Sequence, residues 1–144
     1  MVNDEQTIYI QEDLGGDCLL DILENIGQQE DLKSLYKKSL KSLAYLQIKG
    51  DEDLQYKKCI TSKEFGKQAI LSDLLYFKYY FLDTLKMAYD KEKLGDDFEA
   101  LSSYLNHADH KYFMFRDFQS RNIMIKNGEP FFIDYQGGMK GALQ

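Results

Sequence analysis

Residues 115–122 read FRDFQSRN, and residues 133–138 read IDYQGG. Each of these polar stretches adjoins a short apolar run, and Asn127 and Gly128 lie between the two runs. An Asn-Gly pair flanked by apolar residues is a strong local signal for a β-hairpin with a two-residue turn. We therefore expect strands at residues 123–125 and 131–133 to pair antiparallel, after an earlier strand over residues 112–115.

Three oxygen-bearing side chains stand at one end of this predicted hairpin: Asp117, Asn122 and Asp134. Phosphoryl transfer needs one carboxylate to orient and deprotonate an acceptor hydroxyl, and further oxygen ligands to hold Mg²⁺ against the nucleotide phosphates. Asp and Asn also cap turns in ordinary solvated loops. The pattern is therefore compatible with a catalytic loop and with a simple turn.

The run Arg116–Asn122, followed by Ile133-Asp134-Tyr135, resembles the catalytic and metal-binding loops of the aminoglycoside phosphotransferase family, the kinase-like small-molecule phosphotransferases. The similarity is closest to the amino-sugar kinase branch. It implies that Asp117 is the catalytic base and that Asn122 and Asp134 are magnesium ligands. Phe115 departs from the family pattern, in which a histidine usually begins this loop.

The opening segment, from Tyr9 to Gly15, resembles the hinge between the two lobes of a kinase. In that resemblance, Gln11 and Asp13 offer backbone groups to adenine. The implied cofactors are Mg²⁺ and ATP, and the implied partner is a small molecule with an acceptor hydroxyl, such as a sugar, an amino sugar or an aminoglycoside.

The fold implied by the resemblance is a kinase-like C-terminal lobe, mainly α with a small antiparallel hairpin. We expect one domain over residues 1–144, with the hinge at 7–16, a helical core at 17–108 and the catalytic and metal-binding hairpin at 111–138. The family's glycine-rich loop and strand lysine precede the hinge, and only residues 1–6 precede it here. We therefore expect a partial lobe that is inactive alone, and a non-catalytic binding or scaffold module is the alternative.

Apolar residues recur at helical spacing in four segments of the helical core. In the first segment Asp17 is the expected N-cap and Gly27 the expected stop, while Thr61 and Glu64 match a capping box that would begin another short helix. We expect an aromatic cluster in the third segment to be packed in the core. The helical segments are 17–26, 30–48, 67–89 and 91–107, and the cluster consists of Tyr76, Phe77, Tyr79, Tyr80 and Phe81.

The chain carries 18 Lys and Arg against 24 Asp and Glu, for a net charge of −6. Such a charge repels nucleic acid and anionic lipid, so we expect neither as a partner. The sequence has no long apolar stretch and no signal-peptide pattern, which predicts a cytoplasmic protein with Cys18 and Cys59 reduced and buried. A lobe that lacks its neighbours exposes apolar surface, and this favours self-association.

Overall fold

The computed structural model describes residues 2–5, 7–26 and 30–143, excepting the side chains of Ile26 and Glu30. Helices account for most of its regular structure, and the strands form two small antiparallel pairs, which confirms the predicted class of mainly α with a little β. The helices are α1 (Leu19–Ile26), α2 (Glu30–Lys49), α3 (Lys67–Phe77) and α4 (Lys91–Leu105), and the strands are β1 (Tyr112–Met114), β2 (Ile123–Lys126), β3 (Glu129–Phe132) and β4 (Met139–Gly141).

The backbone divides into two compact units, although the sequence predicts a single domain. The first unit consists of Met1–Ser42 and Asp117–Asp134, and the second of Leu43–Arg116 and Tyr135–Gln144. The helical core expected at 17–108 is thus distributed over both units. The hairpin segment is divided as well, because β2 and β3 belong to the first unit and β1 and β4 to the second.

The first unit is built on an apolar core shared by α1, α2 and the β2–β3 hairpin. Leu19, Leu32 and Ile123 are buried at its centre. The rings of Phe118 and Phe132 meet edge to face beside it, with their centroids 5.1 Å apart. Burial of these side chains removes apolar surface from water, which stabilises the packing of the helices on the hairpin.

The β2–β3 hairpin has the predicted two-residue turn. Ile123 pairs with Phe132 and Lys126 with Glu129, which leaves Asn127 and Gly128 at the tip. Both tip residues have positive φ, 54° at Asn127 and 73° at Gly128. Positive φ at both positions is the type I′ geometry, whose twist matches that of the flanking strands.

The second unit packs α3 against α4, with Ile70 and Phe98 buried. Strand β4 pairs antiparallel with β1, with Phe113 opposite Lys140. Strand β4 has no local sequence signal, because its glycine-rich surroundings resemble a loop and its pairing partner lies far away in the chain.

Two local predictions of secondary structure are wrong. No helix begins at the Thr61–Glu64 motif, and α3 begins at Lys67 with Gly66 as its N-cap. The backbone next to Glu64 pairs with β4 instead: Phe65 N donates to Lys140 O at 2.7 Å. Residues 7–10, whose β-branched and aromatic composition predicts a short strand, do not form one. Tyr9 makes one isolated bridge with Val2, in a turn held by the Asn3 side chain.

The predicted N-cap of α1 is also wrong. The residue before the helix is Cys18, whose N–H donates to Oδ2 of Asp21 at 3.0 Å. Asp17 uses its carbonyl oxygen to accept a hydrogen bond from Ile125 N at 2.9 Å, so it is held by β2. The expected stop at Gly27 lies outside the described residues.

The aromatic cluster of the third helical segment is exposed, contrary to the expectation that it is buried. Tyr76 and Tyr80 are 63% and 67% exposed, and Phe77, Tyr79 and Phe81 are also exposed. Helical spacing shows which residues share a face, but it does not show that another element covers that face. Of the two cysteines, both of which are free, Cys18 is buried as expected and Cys59 is only partly buried.

In the part of the chain that the structure describes, every helix is too short or too polar to cross a lipid bilayer.

A pair of glycine substitutions tests the packing of the second unit. A Cβ at Gly138 would lie 2.5 Å from Cζ of buried Phe113 and 2.9 Å from the Tyr135 carbonyl oxygen. Gly138→Ala is therefore expected to lower the free energy of unfolding by about 1–3 kcal/mol, measured by urea denaturation. Gly95→Ala is the control: the space around Gly95 in α4 is open, so it should raise stability by about 0.5–1 kcal/mol. Equal effects of the two substitutions would contradict this packing.

The start of α1 is expected to be sensitive to acid. Hydrogen bonds from the Cys18 thiol and from the Cys18 backbone N–H hold the pKa of Asp21 below its usual 3.8. A carboxylate whose pKa is lower in the folded state stabilises the fold above pH 3.8, and this contribution is lost as the pH falls through the folded-state pKa. Asp21→Asn should therefore destabilise the protein at pH 6 and have a smaller effect at pH 3, measured by urea denaturation at both values. A pH-independent difference would exclude this origin.

Candidate functional site

All five residues singled out by the sequence, from two distant parts of the chain, belong to the first unit. They lie on two connected pieces of structure. The loop between β1 and β2 and the end of β3 carry Asp117, Asn122 and Asp134, while the segment before α1 carries Gln11 and Asp13.

Asn122 is the buried centre of the first group. It ends a 3₁₀ turn (Ser120–Asn122) and is only 7% exposed. Its Nδ2 donates to the carbonyl oxygen of Asp117 at 3.0 Å, and its own carbonyl oxygen accepts from Ile133 N at 3.0 Å. Because the amide nitrogen is committed to the loop, Oδ1 is the side-chain atom that Asn122 can offer to a cation.

Asp117 combines a fixed backbone with an exposed side chain. Its carbonyl oxygen accepts two hydrogen bonds, from Asn122 Nδ2 and from Gln119 N at 2.9 Å. Solvent reaches the carboxylate. A carboxylate that is accessible to a second molecule and attached to a constrained backbone has the properties required of a general base.

Asp134 follows Ile133 directly and is therefore tied to Asn122 through the Ile133 N–H bond. Its φ is 64°, in the left-handed region that glycine adopts without cost and other residues adopt at a cost of about 1 kcal/mol. Its side chain is exposed. Unfavourable backbone conformations of this kind are concentrated at functional sites, because the surrounding structure must hold them in place.

Arg116, the first residue of the run that resembles a catalytic loop, forms an ion pair. Within the second unit, its guanidinium donates two hydrogen bonds to the Asp73 carboxylate, at 2.7 and 3.0 Å, and lies 4.6 Å from the centre of the Phe65 ring. Its φ is 74°, so a second non-glycine residue in the left-handed region immediately precedes Asp117. Arg121, the other arginine of the loop, has an exposed side chain.

Phe115, at the position where the resembling family usually has histidine, is a core residue. It is 1% exposed, and its ring meets that of Phe113 edge to face at 6.4 Å within the second unit. The side chain therefore anchors the start of the loop by apolar packing.

The segment before α1 runs alongside β2. Cys18 bridges antiparallel to Met124, and Ile125 N donates to Asp17 O. Further from α1, Nζ of Lys126 donates to Asp13 O at 2.9 Å and forms an ion pair with Glu12 at 2.5 Å. The segment predicted to bind adenine is thus attached to the strand that begins immediately after Asn122.

Lys126 is the residue that sequence reasoning missed. Its carbonyl partner at Asp13 is 113 positions away, so no local pattern indicates the contact. The contact also modifies the prediction for Asp13, since its carbonyl oxygen already accepts a hydrogen bond and its carboxylate accepts one from Gly15 N at 2.9 Å. The Asp13 N–H is consequently the main backbone group that it can offer to a base.

Strand β2 separates the two groups of candidate residues by a defined length. At about 3.3 Å per residue, the four steps from Asn122 to Lys126 span about 13 Å. An extended nucleoside triphosphate has a comparable length, with the base at one end and the γ-phosphate at the other.

The candidate magnesium ligands are one amide and one carboxylate, Asn122 and Asp134. Among the residues that the structure describes, no three His, Cys, Asp or Glu side chains are grouped closely enough to hold a metal ion by themselves. Magnesium is commonly bound through one or two carboxylates together with substrate phosphates and water. The donor set of Asn122 and Asp134 matches this mode of binding in its chemistry.

Comparisons of the chain with protein-family models, with curated proteins and with solved structures found no significant match.

The left-handed backbone at Asp134 leads to a paired substitution test. Asp134→Gly and Asp134→Ala both remove the carboxylate, but only glycine adopts a φ of 64° without strain. We expect the glycine variant to be more stable than the alanine variant by about 1 kcal/mol in urea denaturation. An alanine variant as stable as the glycine variant would contradict the left-handed conformation.

Proposed function

We propose that this chain forms the catalytic part of an ATP-dependent phosphotransferase that transfers the γ-phosphoryl group to a hydroxyl of a small molecule. The acceptor class is a sugar, an amino sugar or an aminoglycoside, in keeping with the resemblance of residues 116–122 and 133–138 to the aminoglycoside phosphotransferase family. The observation that carries the proposal is the position of buried Asn122, which hydrogen-bonds the backbone of Asp117 on one side and of Ile133 on the other.

Asp117 is the general base in this proposal. Its carboxylate would accept a hydrogen bond from the acceptor hydroxyl and orient the oxygen toward the γ-phosphorus. It would take the proton as the new P–O bond forms and the bond from the γ-phosphorus to the bridging oxygen breaks, releasing ADP. The two hydrogen bonds to its carbonyl oxygen support this role, because they limit rotation of the backbone that carries the carboxylate. Orientation of this kind reduces the entropic part of the barrier.

Asn122 and Asp134 would hold Mg²⁺, through Oδ1 of the amide and through the carboxylate. Bound there, the ion would neutralise charge on the β- and γ-phosphates. The hydrogen bond from Ile133 N to Asn122 O supports this assignment, because it couples the two ligands through a short piece of backbone.

The segment containing Gln11 and Asp13 would bind the adenine base through backbone groups. The salt bridge and hydrogen bond of Lys126 support this role, since they attach residues 12 and 13 to the far end of β2 from Asn122. The base and the phosphates would then lie at opposite ends of the same strand.

Magnesium-dependent ATP binding, measured by calorimetry, tests the proposal. The chain should bind ATP in the presence of Mg²⁺, and Asp134→Ala should weaken binding at least tenfold because it removes a metal ligand. Asp97→Ala, which removes an exposed carboxylate from α4, is the matched control and should bind as the unaltered chain does. No ATP binding by the unaltered chain, or equal binding by the Asp134 variant, would refute the proposed site.

Asp117→Asn separates binding from chemistry. The substitution keeps the size of the side chain and removes its basicity, so ATP binding should be retained. Because the chain is expected to be inactive alone, turnover is measured in a protein that joins it to an N-terminal kinase lobe. Phosphorylation of an aminoglycoside or amino sugar by that protein, followed as release of ADP, should fall by about 10² to 10⁴. Undiminished turnover in Asp117→Asn would exclude this residue as the base.

A further inference from the structure

Four exposed aromatic side chains form a strip of two stacked pairs on the second unit, along the end of α3 and the π-helical segment Lys78–Asp83 that follows it. We name this strip the aromatic ridge; it consists of Tyr76, Phe77, Tyr80 and Phe81. The rings of Tyr76 and Tyr80 stack with centroids 4.2 Å apart, and those of Phe77 and Phe81 stack at 5.3 Å. Because Tyr76 and Phe77 are consecutive in the helix, the two stacks lie on neighbouring sides of it.

The aromatic ridge has no role in the proposed catalysis. Its exposed apolar area is unusually large for a surface that faces only water. Its four side chains are between 44% and 67% exposed, and Leu85 and Met87 just beyond it are also at least half exposed. Taking about 200 Å² for a whole aromatic side chain, these six residues present on the order of 600 Å² of mainly apolar surface. Apolar patches of this size on soluble proteins usually mark an interaction site.

We infer that the aromatic ridge is the contact through which two copies of this chain associate. The size of the ridge supports a second copy as the occupant. Two such surfaces facing each other would bury about 1,200 Å² in total, which lies at the lower limit of specific protein interfaces. An interface of this size is expected to form reversibly, with dissociation in the micromolar range.

Charge also favours a second copy at this position. Two chains of net charge −6 repel each other over most of their surfaces. Beside the ridge, however, the charges are already balanced within each chain: Asp73 is paired with Arg116, and Lys78 with Asp83. Identical copies can therefore meet along residues 76–81 with these two ion pairs intact, while Lys86, between Leu85 and Met87, adds one exposed positive charge from each copy.

The composition of the ridge is typical of an interface core. Tyrosine and phenylalanine are enriched at the centres of protein interfaces, and charged residues are depleted there. Each tyrosine also presents a hydroxyl, which can bond across the contact or remain at its wet edge. In a symmetric dimer the same ridge would serve both partners, as an isologous contact requires.

Sedimentation velocity of the full chain, from about 1 to about 100 μM, tests this inference in the range where such an interface dissociates. The unaltered chain should change from monomer to dimer as its concentration rises. The double substitution Tyr76→Ser and Tyr80→Ser should raise the dissociation constant at least tenfold. The matched control, Tyr45→Ser with Tyr104→Ser, removes two equally exposed tyrosines from α2 and α4 and should leave dimerisation unchanged.

Every other outcome overturns the inference. A chain that stays monomeric throughout would exclude the dimer, and a dimer that survives the ridge substitutions would place the contact elsewhere. Growth beyond a dimer would show non-specific association. A monomer that cosediments with neutral phosphatidylcholine vesicles, and loses this with the ridge substitutions, would assign the ridge to a membrane surface. Circular dichroism of each variant verifies that it remains folded.

Discussion

The candidate catalytic loop and the hairpin are joined through one buried residue, Asn122. Asn122 donates from its side chain to the backbone at Asp117 and accepts at its backbone from Ile133, so the two acidic candidates are attached to the same residue. A buried amide must satisfy its hydrogen-bonding groups or lose their hydration energy without compensation. This requirement links the fold of the first unit to its proposed chemistry, since any shift of the loop would leave the amide nitrogen without its acceptor.

The apolar core below this amide gives the link its rigidity. Ile123 follows Asn122 directly and is buried against Leu19 and Leu32, while Phe118 packs on Phe132. Residues on both sides of the polar contacts are therefore fixed by close packing. Sites supported in this way keep their geometry better than sites carried by loops alone. On the opposite end of β2, Lys126 connects the hairpin to residues 12 and 13 by charge, which is a weaker and more solvent-exposed connection.

Features encoded by neighbouring residues were predictable from the sequence. The apolar spacing of α2 and the Asn127–Gly128 pair of the hairpin are local signals, and both elements form as predicted. The grouping of Asp117, Asn122 and Asp134 in one unit agrees with their predicted placement at one end of the hairpin, although their roles in catalysis stay predictions.

Features that depend on a distant partner were not predictable in this way. Strand β4 exists because β1 pairs with it on one edge. Its other edge hydrogen-bonds the backbone of Lys63 and Phe65, where a capping box suggested a helix. Asp17 does not cap α1, because β2 takes its carbonyl oxygen. Both errors come from judging a short motif by its sequence while another strand competes for the same backbone groups.

The discontinuous first unit has a consequence for synthesis of the protein. Leu19 and Leu32 belong to the same core as Ile123. The ribosome translates Leu43–Arg116 of the second unit after Leu32 and before Ile123. At about 5–20 residues per second, the two helices wait on the order of 5–20 s for the hairpin that covers them. Their apolar faces are exposed to other nascent chains and to chaperones during this interval. Slow codons in the second unit would lengthen this exposure. They would thereby lower the yield of folded protein, although the second unit contributes no residue to the core concerned.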